Sequence, residues 1–382
     1  MVDVTRRSIM GFAAVLPFLA HTPWVRAQTP AVTAPAPSDE VLINFNESPW
    51  GPAQSARQAM QQGIALCGRY PYKTQYALNA LFARQQGVPE EYVQTYCGSK
   101  AVLQHAVHAF TQNGSLVMAT PSYEDPAEAA RGRQVVVHEV PLNTEHAHDI
   151  PGMLAADSHA GLIYVCNPNN PTGTVTPRAD IERALAEKPK GSILLVDEAY
   201  IDFSDAPTCI PLVKDHPELL VLRTFSKIYG MAGARLGIVV GHPILLEQLE
   251  VFGGYNVPAT PTLLGGIASL EDGELLPQRK QINARLRNKT TAWLETRGFR
   301  CTASQANCFM IDVKRPAEDV FHALAERGVR VGRVWQSWPT WVRVSVGTDA
   351  EMTRFREVFA EVVQNNNGFT STNPSPQKRS NK

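Results

Sequence analysis

The strongest constraint on what this chain can fold into is a series of six apolar runs through its middle. They read GSLVMATPSY (114–123), RQVVVHEVPL (133–142), AGLIYVCNP (160–168), GSILLVDEAY (191–200), LLVLRTFS (219–226) and RLGIVVGH (235–242). Several are apolar on successive residues rather than on every second one. A strand with one face in water alternates, whereas a strand that is apolar throughout is covered on both faces, as in a mainly parallel sheet. Helical stretches such as SKAVLQHAVHAFTQ (99–112) fit between some of the runs. The expectation is an α/β layer structure with helices on both faces of the sheet.

The last third reads differently. A long charged helix is expected at QRKQINARLRNKTTAWLETRG, ending on Gly298. Short strands are expected at CFMIDV, VRVGRV and TWVRVSVG, and amphipathic helices at AEDVFHALAERG and TDAEMTRFREVFAEVVQ. The last of these opens Thr348-Asp-Ala-Glu351, a capping-box pattern. Helices on a small sheet suggest a second, α+β unit from about residue 255. A length of 382 residues accommodates two such units.

The first residues carry an address rather than a fold. Arg6 and Arg7 precede a short apolar run, Ile9 to Ala20, and then the small-residue pattern Val25-Arg26-Ala27. That order reads as a signal peptide, here of twin-arginine type, over residues 1–27, with a frayed basic tail or a short membrane anchor as the alternatives. The run is too short to span a bilayer comfortably, which takes roughly 20 residues. Residues 28–40 form a proline-rich linker and residues 365–382 a polar tail expected to be disordered. Between them lie an arm at 41–60, a large domain at 61–254 and a small domain at 255–364. The expected location is periplasmic or secreted, after export in the folded state.

Composition excludes some partners. Lys plus Arg and Asp plus Glu number 36 each, so no global field draws in nucleic acid or an anionic membrane surface. The six cysteines, Cys67, Cys97, Cys166, Cys209, Cys301 and Cys308, have no metal-ligand spacing. An even number in an exported chain suggests disulfides. Folding in the reducing cytoplasm argues against them, and they read mostly as small core residues.

Polar motifs sit at the C-terminal ends of the runs, where ligands gather in open α/β sheets. CNPNNPTG (166–173) builds a tight turn that fixes the Asn170 amide; taken alone it is equally a plain turn. Asp197 ends its run in LVDEAY, with Tyr200 three residues on. A carboxylate entering an apolar site is costly unless it meets a cation, although an ordinary capping Asp would look the same. Lys227 lies in TFSKIYGMAGARLG, eight residues before Arg235. It is either a snorkelling surface lysine or an activated amine.

Asn170, Asp197, Tyr200, Lys227 and Arg235 occur in one order, each after a strand. In order and spacing they resemble the fold-type I pyridoxal-phosphate enzymes, specifically class I/II aminotransferases of the histidinol-phosphate aminotransferase group. The resemblance covers residues 41–363. It also runs through NFNESPWGP (44–52), RYPY (69–72), CGSKAVLQ (97–104), TPSYEDP (120–126), ANCFMIDV (306–313) and VRVSVGT (342–348). It implies a large domain with a mainly parallel seven-stranded sheet between helices, a smaller α+β C-terminal domain, and pyridoxal 5'-phosphate as cofactor.

The resemblance also implies roles. Lys227 would hold the cofactor aldehyde as a Schiff base and then act as general base and acid. Asp197 would pair with the pyridine nitrogen, Asn170 and Tyr200 with the phenolic oxygen, and Tyr123 would stack on the ring. Gly98, Ser99 and the Lys100 amide would form a helix N-terminus for the phosphate, joined by Thr224, Ser226 and a bidentate Arg235. Tyr70 would reach the phosphate from a partner subunit, making a homodimer. Arg343 would grip the α-carboxylate of a small-molecule amino donor, with Asn46 also on the substrate side and Arg333 as the counterpart of an arginine that in these relatives helps bind the substrate's phosphate; a 2-oxo acid would accept the amino group.

The sequence departs from its relatives at Lys100 and Ala101, where acidic residues usually follow Ser99. Lys100 either adds a cation to the site or is solvated. The stretch GRVWQSWPTWVR is short and rich in tryptophan; Trp335, Trp338 and Trp341 either line an apolar pocket or pack the small domain. Two rivals stay open. The same scaffold could run a decarboxylation, racemisation or oxidation, because the residues do not say which bond at the α carbon is broken. A non-catalytic module that only binds the cofactor is the rival of another class. Regulators of that kind carry a basic helix-turn-helix ahead of the fold, and here a signal and linker stand in its place.

Overall fold

The six apolar runs become six neighbouring strands of one sheet. The computed structural model describes residues 40–253 and 257–365; the expected signal segment, nearly all of the linker and the tail from residue 366 lie outside the described residues. In chain order the strands are β1 (Val41–Ile43), β2 (Val93–Tyr96), β3 (Ser115–Thr120), β4 (Val137–Pro141), β5 (Ala160–Cys166), β6 (Ile193–Asp197), β7 (Leu219–Thr224), β8 (Gly237–Gly241), β9 (Arg300–Cys301), β10 (Cys308–Asp312), β11 (Val329–Val331) and β12 (Trp341–Ser345). The large sheet has seven strands in the order β2-β8-β7-β6-β5-β3-β4. All run parallel except β8, which is antiparallel to both β2 and β7.

Both faces of this sheet are buried, which is why its strands are apolar throughout. Alternate residues divide between two cores. Val117, Ile163, Val165, Leu194, Val196 and Val221 enter one; Leu116, Met118, Leu162, Leu195, Leu220 and Leu222 enter the other. Each such side chain contributes about 1.5–3 kcal/mol by leaving water. The seventh strand, β2, was not visible as an apolar run: its four residues, VQTY, sit at the sheet edge and include two polar side chains.

A third core belongs to the C-terminal region. β9, β10 and β12 form an antiparallel sheet in the order β12-β10-β9, and β11 instead pairs in parallel with β1. The residues just after 40 are thereby tied to the far end of the chain, with Val41 and Ile43 sharing a core with Phe309, Val342 and Phe355. The two helices that follow the expected boundary at 255 contribute to both cores. The helix Thr260–Glu271 buries Leu263 in the large-sheet core, and the helix Leu275–Glu295 contributes Leu275 there but Leu286 and Leu294 to the C-terminal core. The chain therefore changes core partway along that long helix, because an amphipathic helix of about six turns is long enough to reach both.

The capping box forms as written. The Thr348 amide donates to Glu351 Oε2 at 2.7 Å and the Glu351 amide donates to Thr348 Oγ1 at 3.3 Å, opening the helix Asp349–Asn365. The cysteines form no disulfide among the described residues, and Cys166, Cys209 and Cys308 are buried.

Candidate active site

The C-terminal ends of β5, β6 and β7 open into a cavity of about 680 Å³. Cys166, Asp197 and Thr224, the last residues of those strands, line it, together with Ser99 at the start of the helix Ser99–Phe110. Lys100, Tyr123, Asn170, Tyr200, Ser226, Lys227, Arg235, Arg333 and Arg343 line it as well. The structure thus gathers the expected residues around one space, with three exceptions. Gly98 stands just behind Ser99; Asn46 and Tyr70 are treated below.

One end of the cavity is a cradle of donors. Gly98 precedes the helix at φ 87°, and no side chain caps the helix amides. A Cβ on Gly98 would lie 2.3 Å from Arg235 Nη2, and one on Gly237 would lie 2.5 Å from the Ser99 amide nitrogen. Glycine at both places lets the guanidinium and the helix N-terminus approach one another. Arg235 Nη1 donates to the Ala232 carbonyl at 3.0 Å and reaches Ser226 Oγ at 3.4 Å, while Thr224 Oγ1 and Ser226 Oγ are 3.1 Å apart. A guanidinium, two hydroxyls and an open helix N-terminus form an anion site.

The other end is carboxylate. Asp197 is buried and makes no salt bridge among the described residues; Oδ2 accepts from the Tyr164 hydroxyl at 2.9 Å and Oδ1 from the Ala199 amide at 3.1 Å. Burial pushes its pKa up to about 6, against the pull of those two donors. Between the two ends, Lys227 Nζ donates to the Phe45 carbonyl at 3.3 Å and lies 5.5 Å from the centre of the Tyr200 ring. Burial, then the positive charge of Arg343, pushes its pKa down to about 8. A lysine in that range has an appreciable neutral fraction near pH 7, as nucleophilic and general-base chemistry requires.

Arg343, on β12, is held by three contacts. Nη1 donates to Asn170 Oδ1 at 2.9 Å, Nη2 bonds to the Asn44 carbonyl, and the guanidinium lies 5.4 Å from the Trp335 ring centre. Tyr123 donates to Asp125 Oδ2 at 2.6 Å, and Lys100 pairs with the same oxygen at 3.0 Å. Lys100 is therefore neither a free cation in the site nor simply solvated: it braces the aspartate that braces Tyr123.

Asn46 does not line the cavity. Its Nδ2 donates to the Tyr200 hydroxyl and to Cys308 Sγ, both at 3.2 Å, and its Oδ1 accepts from Ser345 Oγ at 2.8 Å. Its amide is engaged with Tyr200, Cys308 and Ser345, outside the cavity lining. Tyr70 is 83% exposed, stacked on Tyr72 with ring centres 5.8 Å apart, and outside the cavity of its own chain. Trp335, Trp338 and Trp341 form a packed cluster with Met310, and His146 stands edge-on to Trp338 and Trp341. None of the three tryptophans lines the cavity.

Sequence reasoning missed three supports. Tyr164 lies two residues before Cys166, whose partner across the β5–β6 ladder is Asp197; a long side chain at that diagonal reaches the carboxylate, a signal that needs the register. Cys308 reaches Asn46. Arg279 donates to the carbonyls of Ile228 at 2.7 Å and Gly51 at 2.6 Å, pinning the backbone just after Lys227. It sits near the start of the helix Leu275–Glu295, beside Lys280, and gives no sequence signal.

Comparison with known proteins points one way. A family description, aminotransferase class I and II, matches residues 39–359. The chain is 32% identical over 333 residues to a histidinol-phosphate aminotransferase of Bacillus velezensis, covering 85% of this chain and 91% of the relative. It is 35% identical over 326 residues to one of Symbiobacterium thermophilum, covering 84% and 90%. The solved structure of histidinol-phosphate aminotransferase from Sinorhizobium meliloti in complex with pyridoxal-5'-phosphate superposes with a TM-score of 0.78 at 26% identity, covering 85% of this chain and 90% of that one.

Proposed function

This chain belongs to the class I and II aminotransferases, and on that premise we propose how its residues divide the work. It is a pyridoxal-phosphate-dependent aminotransferase that moves an amino group from an amino acid or amine to a 2-oxo acid. The residues present fit this cofactor at both ends. The glycine-cleared cradle of Ser99, Thr224, Ser226 and Arg235 suits a phosphate. The buried Asp197, with no cation of its own, suits a protonated ring nitrogen.

When bound, the cofactor supplies a carbonyl carbon that carries the amino group and a ring that stabilises negative charge at the substrate α carbon. The chain supplies the rest. Asn170 and Tyr200 would hold the phenolic oxygen, and Tyr123, braced by Asp125, would flank the ring. Arg343 would bind the donor's α-carboxylate; it already holds Asn170 at 2.9 Å, so carboxylate and ring contacts are set by one rigid pair. Lys227, with its pKa near 8, would take the α proton as a neutral amine and return it as an ammonium. The single observation that carries this assignment is Lys227 standing in the same cavity as the Arg235 cradle and Asp197.

Two further parts complete the proposal. The enzyme is a homodimer in which Tyr70 reaches the partner's phosphate site; exposed Phe45, Ile64, Leu66, Tyr70 and Tyr76 supply apolar surface for that contact. The protein is exported folded by the twin-arginine route, and in that compartment its donor is one other than the histidinol phosphate of its relatives' names. The support is the Arg6-Arg7 signal pattern, which a secretion assay with the pair replaced by lysines tests directly.

The central test is spectroscopic. The purified holoenzyme should lose its visible imine band on adding a productive amino donor and recover it with a 2-oxo acid. Lys227→Ala should abolish turnover and leave cofactor that borohydride no longer fixes to the protein. Turnover at the parent rate in that variant would refute the assignment.

A further inference from the structure

The charges around the cavity do not balance once each cation is given its partner. Five cations line it: Lys100, Lys227, Arg235, Arg333 and Arg343. Lys100 is paired with Asp125 at 3.0 Å. In the reading above, Lys227 and Arg235 serve the cofactor and Arg343 serves the α-carboxylate. That leaves Arg333, and Arg333 is already engaged: its Nη2 is ion-paired to Glu124 and its guanidinium lies 4.8 Å from the Trp335 ring centre. Two carboxylates line the same cavity without any salt bridge among the described residues, Glu47 and Glu128. Phe45, Phe321 and Val331 supply apolar wall.

We infer that the amino donor's side chain has an apolar stem and ends in a cation or a neutral hydrogen-bond donor, and that it carries neither a phosphate nor a second carboxylate. The inference rests on the aminotransferase reading and names the donor class for that site. A distal anion would have to displace Glu124 from Arg333 while facing Glu47 and Glu128. Selectivity of this kind comes as much from the like charges that reject a wrong side chain as from the contacts that favour a right one. A cationic end meets a different situation: neither Glu128 nor Glu47 makes a salt bridge among the described residues, although Glu47 also lies in the field of Lys227.

The experiment uses the holoenzyme and follows the rate at which its visible cofactor band bleaches. Matched donors that keep the α-carboxylate are compared: homoserine with O-phosphohomoserine, and ornithine with glutamate. The parent enzyme should favour the unphosphorylated and the cationic member of each pair by about tenfold or more in bimolecular rate constant. Glu124→Gln should release Arg333 and raise the ratio of phosphorylated to unphosphorylated rate by about tenfold. Equal or faster bleaching by O-phosphohomoserine or by glutamate in the parent overturns the inference, as does an unchanged ratio in a folded Glu124→Gln enzyme. Failure of every donor to bleach a bound cofactor band sinks the aminotransferase reading itself, an outcome distinct from the wrong preference.

Discussion

Replacing Asp197 with asparagine should stabilise the cofactor-stripped protein while weakening its hold on the cofactor. Asp197 is buried, has two hydrogen-bond donors and makes no salt bridge among the described residues, and its pKa rises from 3.8 to about 6. The sign follows from proton linkage. Below about pH 4 both folded and unfolded chains carry the proton, and the site has no ionisation cost. Between about 4 and 6 the folded chain keeps a proton that the unfolded chain has released, so stability falls as pH rises through that window. Above it the loss levels off. Each tenfold change in an ionisation constant is worth about 1.4 kcal/mol, so a rise from 3.8 to about 6 corresponds to a loss of roughly 3 kcal/mol. Asparagine keeps the shape and the Tyr164 contact and has no ionisation to oppose. Urea unfolding of stripped parent and Asp197→Asn protein should therefore diverge from pH 4 to pH 7, with the variant more stable at pH 7.5 by about 2–3 kcal/mol. Cofactor titration should show the reverse, with affinity reduced by about tenfold or more, since a neutral amide cannot hold a protonated ring nitrogen. Parallel pH profiles of stability for the two stripped proteins would refute the reasoning.

Three other changes isolate other parts of the site. Gly98→Ala places a methyl 2.3 Å from Arg235 Nη2 at a backbone φ of 87°; loss of that guanidinium's approach should weaken cofactor affinity by about tenfold or more, read by fluorescence titration of stripped protein. Arg279→Met leaves the buried carbonyls of Ile228 and Gly51 without their charged donor, and should cost about 3 kcal/mol or more in urea unfolding. Thr348→Ala breaks half of a capping box whose residues do not line the cavity. It should cost about 1 kcal/mol of stability without changing transamination kinetics.

The fold was legible where burial leaves a pattern. Strands covered on both faces must be apolar, so β3 through β8 could be read as runs, and the residues at their polar ends could be read as the site. What stayed hidden depends on distance across the sheet or between cores. Tyr164 is one more aromatic in an apolar run until β5 and β6 are in register. Arg333 and Glu124 lie far apart in sequence, and only the folded chain shows that each is taken by the other. The partner of the helix just after the expected boundary at 255 was hidden for a related reason. The helix Thr260–Glu271 is apolar enough to be buried, and nothing in its composition says against which core.

Strand direction was the least legible feature, and the site depends on it. β8 looks like the other apolar runs, yet it alone runs antiparallel. Thr224, the last residue of β7, is paired with Gly237, the first of β8. The chain between them leaves and re-enters the sheet at the same edge, which is where the parallel strands end. Lys227 stands just after the exit and Arg235 just before the return, so a hairpin connection brings both to the cavity. Had β8 been parallel, its first residue would lie at the opposite edge. Arg235 would then be displaced by the length of a five-residue strand, roughly 16 Å at about 3.3 Å per residue. The Ser99 amide would also lose the neighbour whose missing side chain lets it approach, since Gly237 sits against it only in this direction. The one reversed strand is thus what allows a lysine and an arginine eight residues apart to serve two ends of the same bound molecule.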